Sequence, residues 1–174
     1  MKCKICVLEE TTEDKEICEI CRYYTKHQEK WKPTKVDILF FAESPPNPRE
    51  NNEPPYFYNE NTQDDGGLWN QFNEALEINA ENKKEFLKQF QKENYLLEDI
   101  FPTYQNFKQF KDNQYTADRP YIINRFTKIV NEYEPKKIVF VCKRAVNLLS
   151  LPFPRYKEEN KQNFVNEIEK IISD

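Results

Sequence analysis

The sequence predicts an α/β fold: a three-layer α/β/α sandwich around a four-stranded parallel sheet, preceded by a small cysteine-rich element. Three observations point there. Short apolar runs such as Ile38-Leu39-Phe40-Phe41 and Ile138-Val139-Phe140-Val141 are too brief for helices and end abruptly in polar or proline-bearing residues. Between them lie stretches whose apolar residues recur every three or four positions, as helices packed on a sheet require. Four of the five cysteines fall within the first 21 residues as two pairs of C-x2-C spacing. Alternating strands and helices imply parallel pairing with right-handed crossovers. A chain of 174 residues holds one such domain and a small appendage. We assign residues 1–30 to the cysteine element and residues 35–174 to the α/β domain.

The composition narrows the setting. A hydrophobic content of 38%, with thirteen Phe and ten Tyr, suffices for a real core despite a mean hydropathy of −0.94. No apolar run approaches the roughly 18 to 20 residues needed to span a bilayer, so no membrane partner is expected. Met1-Lys2-Cys3 opens the chain without the apolar core of a signal peptide, which predicts a cytoplasmic protein. The net charge of −4 hides an asymmetry: residues 43–99 hold thirteen Asp/Glu to five Lys/Arg, whereas residues 104–157 hold four to eleven. One face can therefore be basic although the whole is acidic.

In chain order, Cys3, Cys6, Cys18 and Cys21 form two knuckles separated by eleven residues. Four thiolates at this spacing converge into a tetrahedron around Zn²⁺, and so small a segment has no core to fold without it. Such a site is closed to substrate, so the zinc is structural; an iron–sulfur cluster or a redox pair is the alternative. The stretch from Arg22 to Lys35 is polar and reads as a connector whose Trp31 docks the knuckles onto the main domain. Val36 to Phe41 is the first strand, delivering Ala42-Glu43-Ser44-Pro45-Pro46 to a turn that cannot continue it. A long loop follows, with Pro48, Pro54, Pro55, the aromatic cluster Tyr56-Phe57-Tyr58 and the two glycines of the chain, Gly66 and Gly67. Loops of this length are commonly functional, although aromatic residues also plug loops into cores.

Leu68, Trp69, Phe72, Ala75 and Leu76 mark a helix, and Phe86, Leu87 and Phe90 a second one. The stretch from Asn94 to Asp99 reads as a second strand. A polar, aromatic loop leads to Asp118, expected to cap a helix carrying Ile122, Ile123, Phe126, Ile129, Val130 and Tyr133 until Pro135 stops it. Ile138 to Val141 is a third strand, closed by Cys142, with Lys143 and Arg144 opening a short helix. Leu151-Pro152-Phe153-Pro154-Arg155-Tyr156 is a fourth extended piece, and the final helix places Phe164, Val165, Ile168, Ile171 and Ile172 on one stripe. In a parallel sheet, the residues past each strand gather along one edge, where ligands bind. That edge would collect Glu43, Ser44, Asp99, Lys143, Arg144 and the turn at Pro152 to Arg155. Carboxylates, aromatic rings and cations together suit a planar polar ligand such as a nucleotide or a base drawn out of nucleic acid.

The order of these segments resembles the uracil-DNA glycosylase superfamily. Ala42-Glu43-Ser44-Pro45-Pro46 is similar to its first motif, a strand followed by Gly-Glu-Ala-Pro-Gly in the thermophilic iron–sulfur branch. The loop to Tyr56-Phe57-Tyr58 and Gly66-Gly67-Leu68-Trp69 resembles the one whose aromatic ring stacks on the extruded base. Leu96 to Ile100 stands where that family has a strand ending in a base-reading Asn, and Leu151-Pro152-Phe153-Pro154 where its second, His-Pro-Ser-like motif falls. The resemblance implies a DNA repair hydrolase that flips a damaged or deaminated base and hydrolyses its N-glycosidic bond. It makes Glu43 the catalytic group that positions the water, with Ser44 where some branches carry the acid. Tyr56 or Phe57 would stack on the base and Asp99 read its edge. Lys143, Arg144, Pro152, Phe153 and Arg155 would hold the strand, DNA rather than RNA being the expected partner of a monomeric protein.

Two departures stand out. Leu151 occupies the place of the second-motif histidine, leaving Arg155 or Lys143 to oppose charge on the leaving base. Asp99 replaces Asn, and an ionised carboxylate only accepts hydrogen bonds where an amide both accepts and donates. The alternative reading is a non-catalytic nucleic-acid or nucleotide-binding module of the same fold.

Overall fold

The computed structural model describes residues 19–46, 55–62, 67–101 and 112–141, of which 19–21 and 112–119 are described by backbone alone. The element order is α1 (Glu19–Trp31), β1 (Ile38–Ala42), α2 (Leu68–Ala75), α3 (Lys83–Lys92), β2 (Tyr95–Asp99), α4 (Asp112–Tyr133) and β3 (Lys137–Phe140). The three strands form one parallel sheet in the order β2-β1-β3. The fourth extended piece around Pro152 and the final helix lie outside the described residues, as do the knuckle residues Cys3, Cys6 and Cys18.

The central strand explains the architecture. All five residues of β1 are buried, as a strand covered on both faces must be. Successive side chains point to opposite faces. Phe40 meets Phe72 of α2 and Phe90 of α3 at 4.7 and 5.8 Å between ring centroids. Phe41, one residue on, meets Phe126 of α4 at 5.0 Å and Phe140 of β3 at 5.8 Å. Helices therefore lie against both sides of the sheet. The register aligns Phe40 with Leu97 and Val139, and Phe41 with Glu98 and Phe140. Glu98 consequently faces α4, while Asp99, aligned with Ala42, faces the side of α2 and α3.

Asp37 ties the N-terminal ends of the strands together. Its N–H donates to the Asn94 carbonyl at 2.8 Å, and its own carbonyl accepts from the N–H groups of Lys136 and Lys137 at 3.0 and 3.1 Å. Asn94 takes a left-handed φ of 60°, the conformation that lets a short amide side chain close α3 and turn into β2. Its side-chain N–H also donates to the Asp37 carboxylate at 2.9 Å.

Two expectations change. The segment read as a connector is helix α1, and its Tyr24 and Trp31 are buried in the same core as β1. Aromatic residues at 23, 24, 27 and 31 give an otherwise polar helix one packing stripe. Asp118 does not cap α4: the helix already runs from Asp112 and carries Pro120 inside it. Pro120 is exposed, so the ring projects to solvent and the cost is one missing intrahelical hydrogen bond rather than a disrupted core. Among the described residues, no helix is long and apolar enough to cross a membrane.

Candidate functional site

β1 and β2 finish level with each other, and backbone pairing continues past both. The Ile100 N–H donates to the Ala42 carbonyl and the Phe101 N–H to the Glu43 carbonyl, each at 3.0 Å, while the Val141 N–H reaches the Phe41 carbonyl at 2.9 Å. These bonds hold the AESPP turn against the end of β2. Beyond them opens a cleft of about 200 Å³ lined by Ala42, Ser44, Pro45, Pro46, Pro55, Tyr56, Phe57, Leu68, Trp69, Lys83, Leu97 and Asp99.

The aromatic loop forms the wall. Tyr56, Phe57 and Tyr58 are all buried. Phe57 stands edge-on to Phe72 and Phe90 at 5.7 and 5.4 Å, and Tyr56 to Tyr24 of α1 at 4.9 Å. Tyr58 fills a different role. Its hydroxyl donates to the Leu97 carbonyl at 3.0 Å and accepts from the Leu97 N–H at 2.7 Å. The Leu97 carbonyl also accepts from Gln28 Nε2 of α1 at 3.2 Å. β2 ends the described sheet on this side, so its outward backbone groups need partners, and Tyr58 and Gln28 supply them. Lys83, buried at the start of α3, donates through Nζ to the Tyr56 carbonyl at 2.7 Å and to Thr62 Oγ1 at 3.1 Å. That ammonium locks the loop into place as a wall of the cleft.

The electrostatics concentrate at the end of β2. On the α4 side, Glu98 is buried and pairs with Arg125 Nη2 at 3.1 Å. Arg125 also donates from Nε and Nη2 to the Asp99 carbonyl at 3.3 and 3.2 Å. Its guanidinium is thus engaged with Glu98 and with backbone, and among the described residues none donates a hydrogen bond to the Asp99 carboxyl. Burial pushes that carboxyl up to about 8; Glu98 pushes the same way, Arg125 opposes, and Glu43 adds a smaller upward push. Burial likewise raises Glu98, against the pull of Arg125. Asp99 therefore carries its proton at neutral pH, and a carboxylic acid both donates and accepts.

Of the residues singled out from sequence, Ser44, Tyr56, Phe57 and Asp99 line the cleft. Glu43 stands at the same edge, its carbonyl bonded to Phe101, but outside the cleft lining. Lys143, Arg144, Pro152, Phe153 and Arg155 lie outside the described residues. Cys21 falls within α1 by backbone, and the side chains of all four knuckle cysteines lie outside the described set. Among the described residues, no group of three or more His, Cys, Asp and Glu is placed to hold a metal ion. Sequence reasoning missed Lys83 and Arg125 as parts of the site, and named Trp69 within the base-stacking loop without giving it a role of its own. Trp69 left a signal, an indole directly after Gly67-Leu68 at the loop's end; a buried Lys at a helix start leaves none.

Comparison of the chain with protein-family models, curated proteins and solved structures returns no match.

Proposed function

We propose that this chain is a DNA glycosylase-like protein that accepts a damaged or deaminated base in the cleft at the C-terminal edge of its sheet and hydrolyses the N-glycosidic bond. The observation that carries the reading is the convergence of Ser44, Tyr56, Phe57 and Asp99 on one small cleft beside the AESPP turn. The cleft, about 200 Å³ and open to solvent, has room for a small planar ring, with any attached sugar and phosphate left outside it. Tyr56 and Phe57 offer apolar walls to a planar ring, and Asp99 offers its edge a polar partner. Glu43, fixed at the rim by Phe101, would orient the water that adds to the sugar carbon as the carbon–nitrogen bond breaks and the base departs with the bonding pair.

A second reading is favoured by two observations: base binding without chemistry. Glu43 is not in the cleft lining, and the single histidine, His27, lies on α1 against Tyr23 at 4.7 Å between rings. No histidine is then left to stabilise charge on a departing base, a donor worth about 2.7 to 4 kcal/mol in comparable oxyanion sites.

The finer architecture belongs to the same proposal: a fourth parallel strand at Leu151 to Tyr156, and structural Zn²⁺ held by Cys3, Cys6, Cys18 and Cys21, whose four thiols are the donor set of a closed tetrahedral site. Lys143, Arg144, Pro152, Phe153 and Arg155 would hold the DNA strand, giving salt-dependent affinity. The test is incubation with oligonucleotides carrying uracil, hypoxanthine or xanthine, in single and double strands, with binding measured at low salt alongside. Base release abolished by Glu43→Gln supports the enzyme, and salt-dependent binding without release supports the second reading. The absence of both removes the proposal.

A further inference from the structure

Helix α1 braces three walls of the cleft. Near its start, the Tyr24 hydroxyl donates to the Pro46 carbonyl of the AESPP turn, and the Tyr24 ring packs on Tyr56 at 4.9 Å. The neighbouring Tyr23 hydroxyl accepts from Nδ2 of Asn59, buried in the aromatic loop, at 2.7 Å. One turn on, Gln28 Nε2 holds the Leu97 carbonyl in the middle of β2 at 3.2 Å. Just past the helix, the Lys32 carbonyl accepts from Gln91 Nε2 of α3 at 3.1 Å, and Lys32 Nζ lies 4.8 Å from the ring of Tyr133, the last residue of α4. Both α3 and α4 end where a strand is about to begin, so α1 finishes at the N-terminal edge of the sheet and starts at the cleft.

That direction brings the beginning of α1 beside the cleft, with Cys21 in its first turn by backbone and Cys18 one residue ahead of it in sequence. A helix of 13 residues is marginal in water by itself, so α1 keeps its place through what holds its two ends. Trp31, buried in the core, holds the last turn. Tyr23 and Tyr24 tie the opening turns to the cleft walls, and whatever fixes the helix start fixes those walls as well.

We propose that α1 links metal binding to the shape of the cleft: Zn²⁺ on Cys3, Cys6, Cys18 and Cys21 fixes the helix start, and Tyr24 passes that order to the AESPP turn and the aromatic loop. This inference rests on the proposed zinc site and holds whatever ligand the cleft takes. A structural zinc contributes folding free energy to the segment that carries its thiolates. Two of those thiols fall at the head of the helix that braces the turn, the loop and β2, so part of that free energy orders the cleft. The linkage is reciprocal: a ligand that tightens the cleft raises zinc affinity by the same factor.

The test is backbone amide hydrogen exchange of the full chain, with its zinc content measured, before and after a chelator removes the metal. The informative amides are Phe101, bonded to the Glu43 carbonyl of the turn, Leu97, bonded to the Tyr58 hydroxyl, and Asn59, bonded to the Tyr56 carbonyl. Asp37 and Lys137, whose N–H groups are bonded at the opposite edge of the sheet, serve as references. The expected result is about one zinc per chain and, once it is removed, exchange about tenfold faster at the three cleft amides with the references unchanged. Tyr24→Phe keeps the ring and the cysteines and deletes the bond to Pro46. Its Phe101 amide should already exchange faster with zinc bound, and chelation should accelerate it less than in wild type. Bound zinc without a change at the cleft on chelation, acceleration of equal size at Asp37 and Lys137, or an undiminished chelation response in Tyr24→Phe would overturn the linkage while leaving the zinc site standing. A chain that holds no zinc would overturn both, and base release, read separately, is touched by neither result.

Discussion

At the scale of single residues, Asp99 concentrates the energetics of the site. A carboxyl that is ionised in the unfolded chain above about pH 4 and protonated in the fold up to about pH 8 takes up a proton on folding across that interval. Its contribution to stability is therefore fully present below about pH 4, declines as pH rises, and levels off above about pH 8. The slope limit is about 1.4 kcal/mol per pH unit. Asp99→Asn removes this term, so its melting temperature should exceed that of wild type increasingly from pH 5 to 8 and match it near pH 4. A constant difference across that range would show that Asp99 is not the titrating group. Ionisation of this residue alone was legible as an issue in the sequence, since an Asp at the position of an amide reader must either accept only or hold a proton. Which of the two holds depended on Glu98, Glu43 and Arg125 meeting at the strand ends, and residues 27 positions apart in the chain, such as Glu98 and Arg125, announce no such meeting.

Among the elements, the aromatic loop is both wall and edge protection. Tyr58 satisfies the outward N–H of Leu97 and, with Gln28, its carbonyl, closing an edge strand that would otherwise present unpaired backbone. Tyr58→Phe keeps the ring packing and deletes the hydroxyl, leaving the Leu97 N–H buried and unpaired. The expected loss is about 1 to 3 kcal/mol in denaturant unfolding, with weaker ligand binding because Tyr56 and Phe57 are carried on the same loop. Unchanged stability would mean that water replaces the hydroxyl at the edge. The two readings of this loop, functional or core-filling, turn out not to exclude each other: Tyr58 is wholly buried and structural, while Tyr56 and Phe57 are buried and still line the cleft. Strands were legible because β1, β2 and β3 are compact apolar runs with sharp ends. α1 was obscured by its polar residues, although Tyr23, His27 and Trp31 repeat every four positions, and the start of α4 by a proline that reads as a helix beginning but is carried inside.

Over the whole molecule, parallel pairing explains why segments far apart in sequence form one site. β1 in the middle of the described sheet has its AESPP turn flanked by the ends of both neighbours, so any residue placed after β1 or β2 is delivered to the same edge. Helices lie against both faces of the described sheet, and α1 adds a further layer over the loop through Tyr24 against Tyr56. The grouping of Ser44, Tyr56, Phe57 and Asp99 was legible because it follows from topology. The separation of Glu43 from the cleft lining was not, since it depends on how the turn rotates after Ala42.

A base bound as proposed would meet the protein at this edge of the sheet. Amide chemical-shift mapping of the isotopically labelled protein on addition of uracil at about pH 6.5 checks this. The predicted result is shifts confined to Ala42 to Ser44, Tyr56, Phe57, Trp69 and Leu97 to Phe101, with the opposite end of the sheet at Lys35 to Asp37 and Lys136 unmoved. Shifts scattered over the surface, centred on that opposite end, or absent at saturating uracil would contradict it.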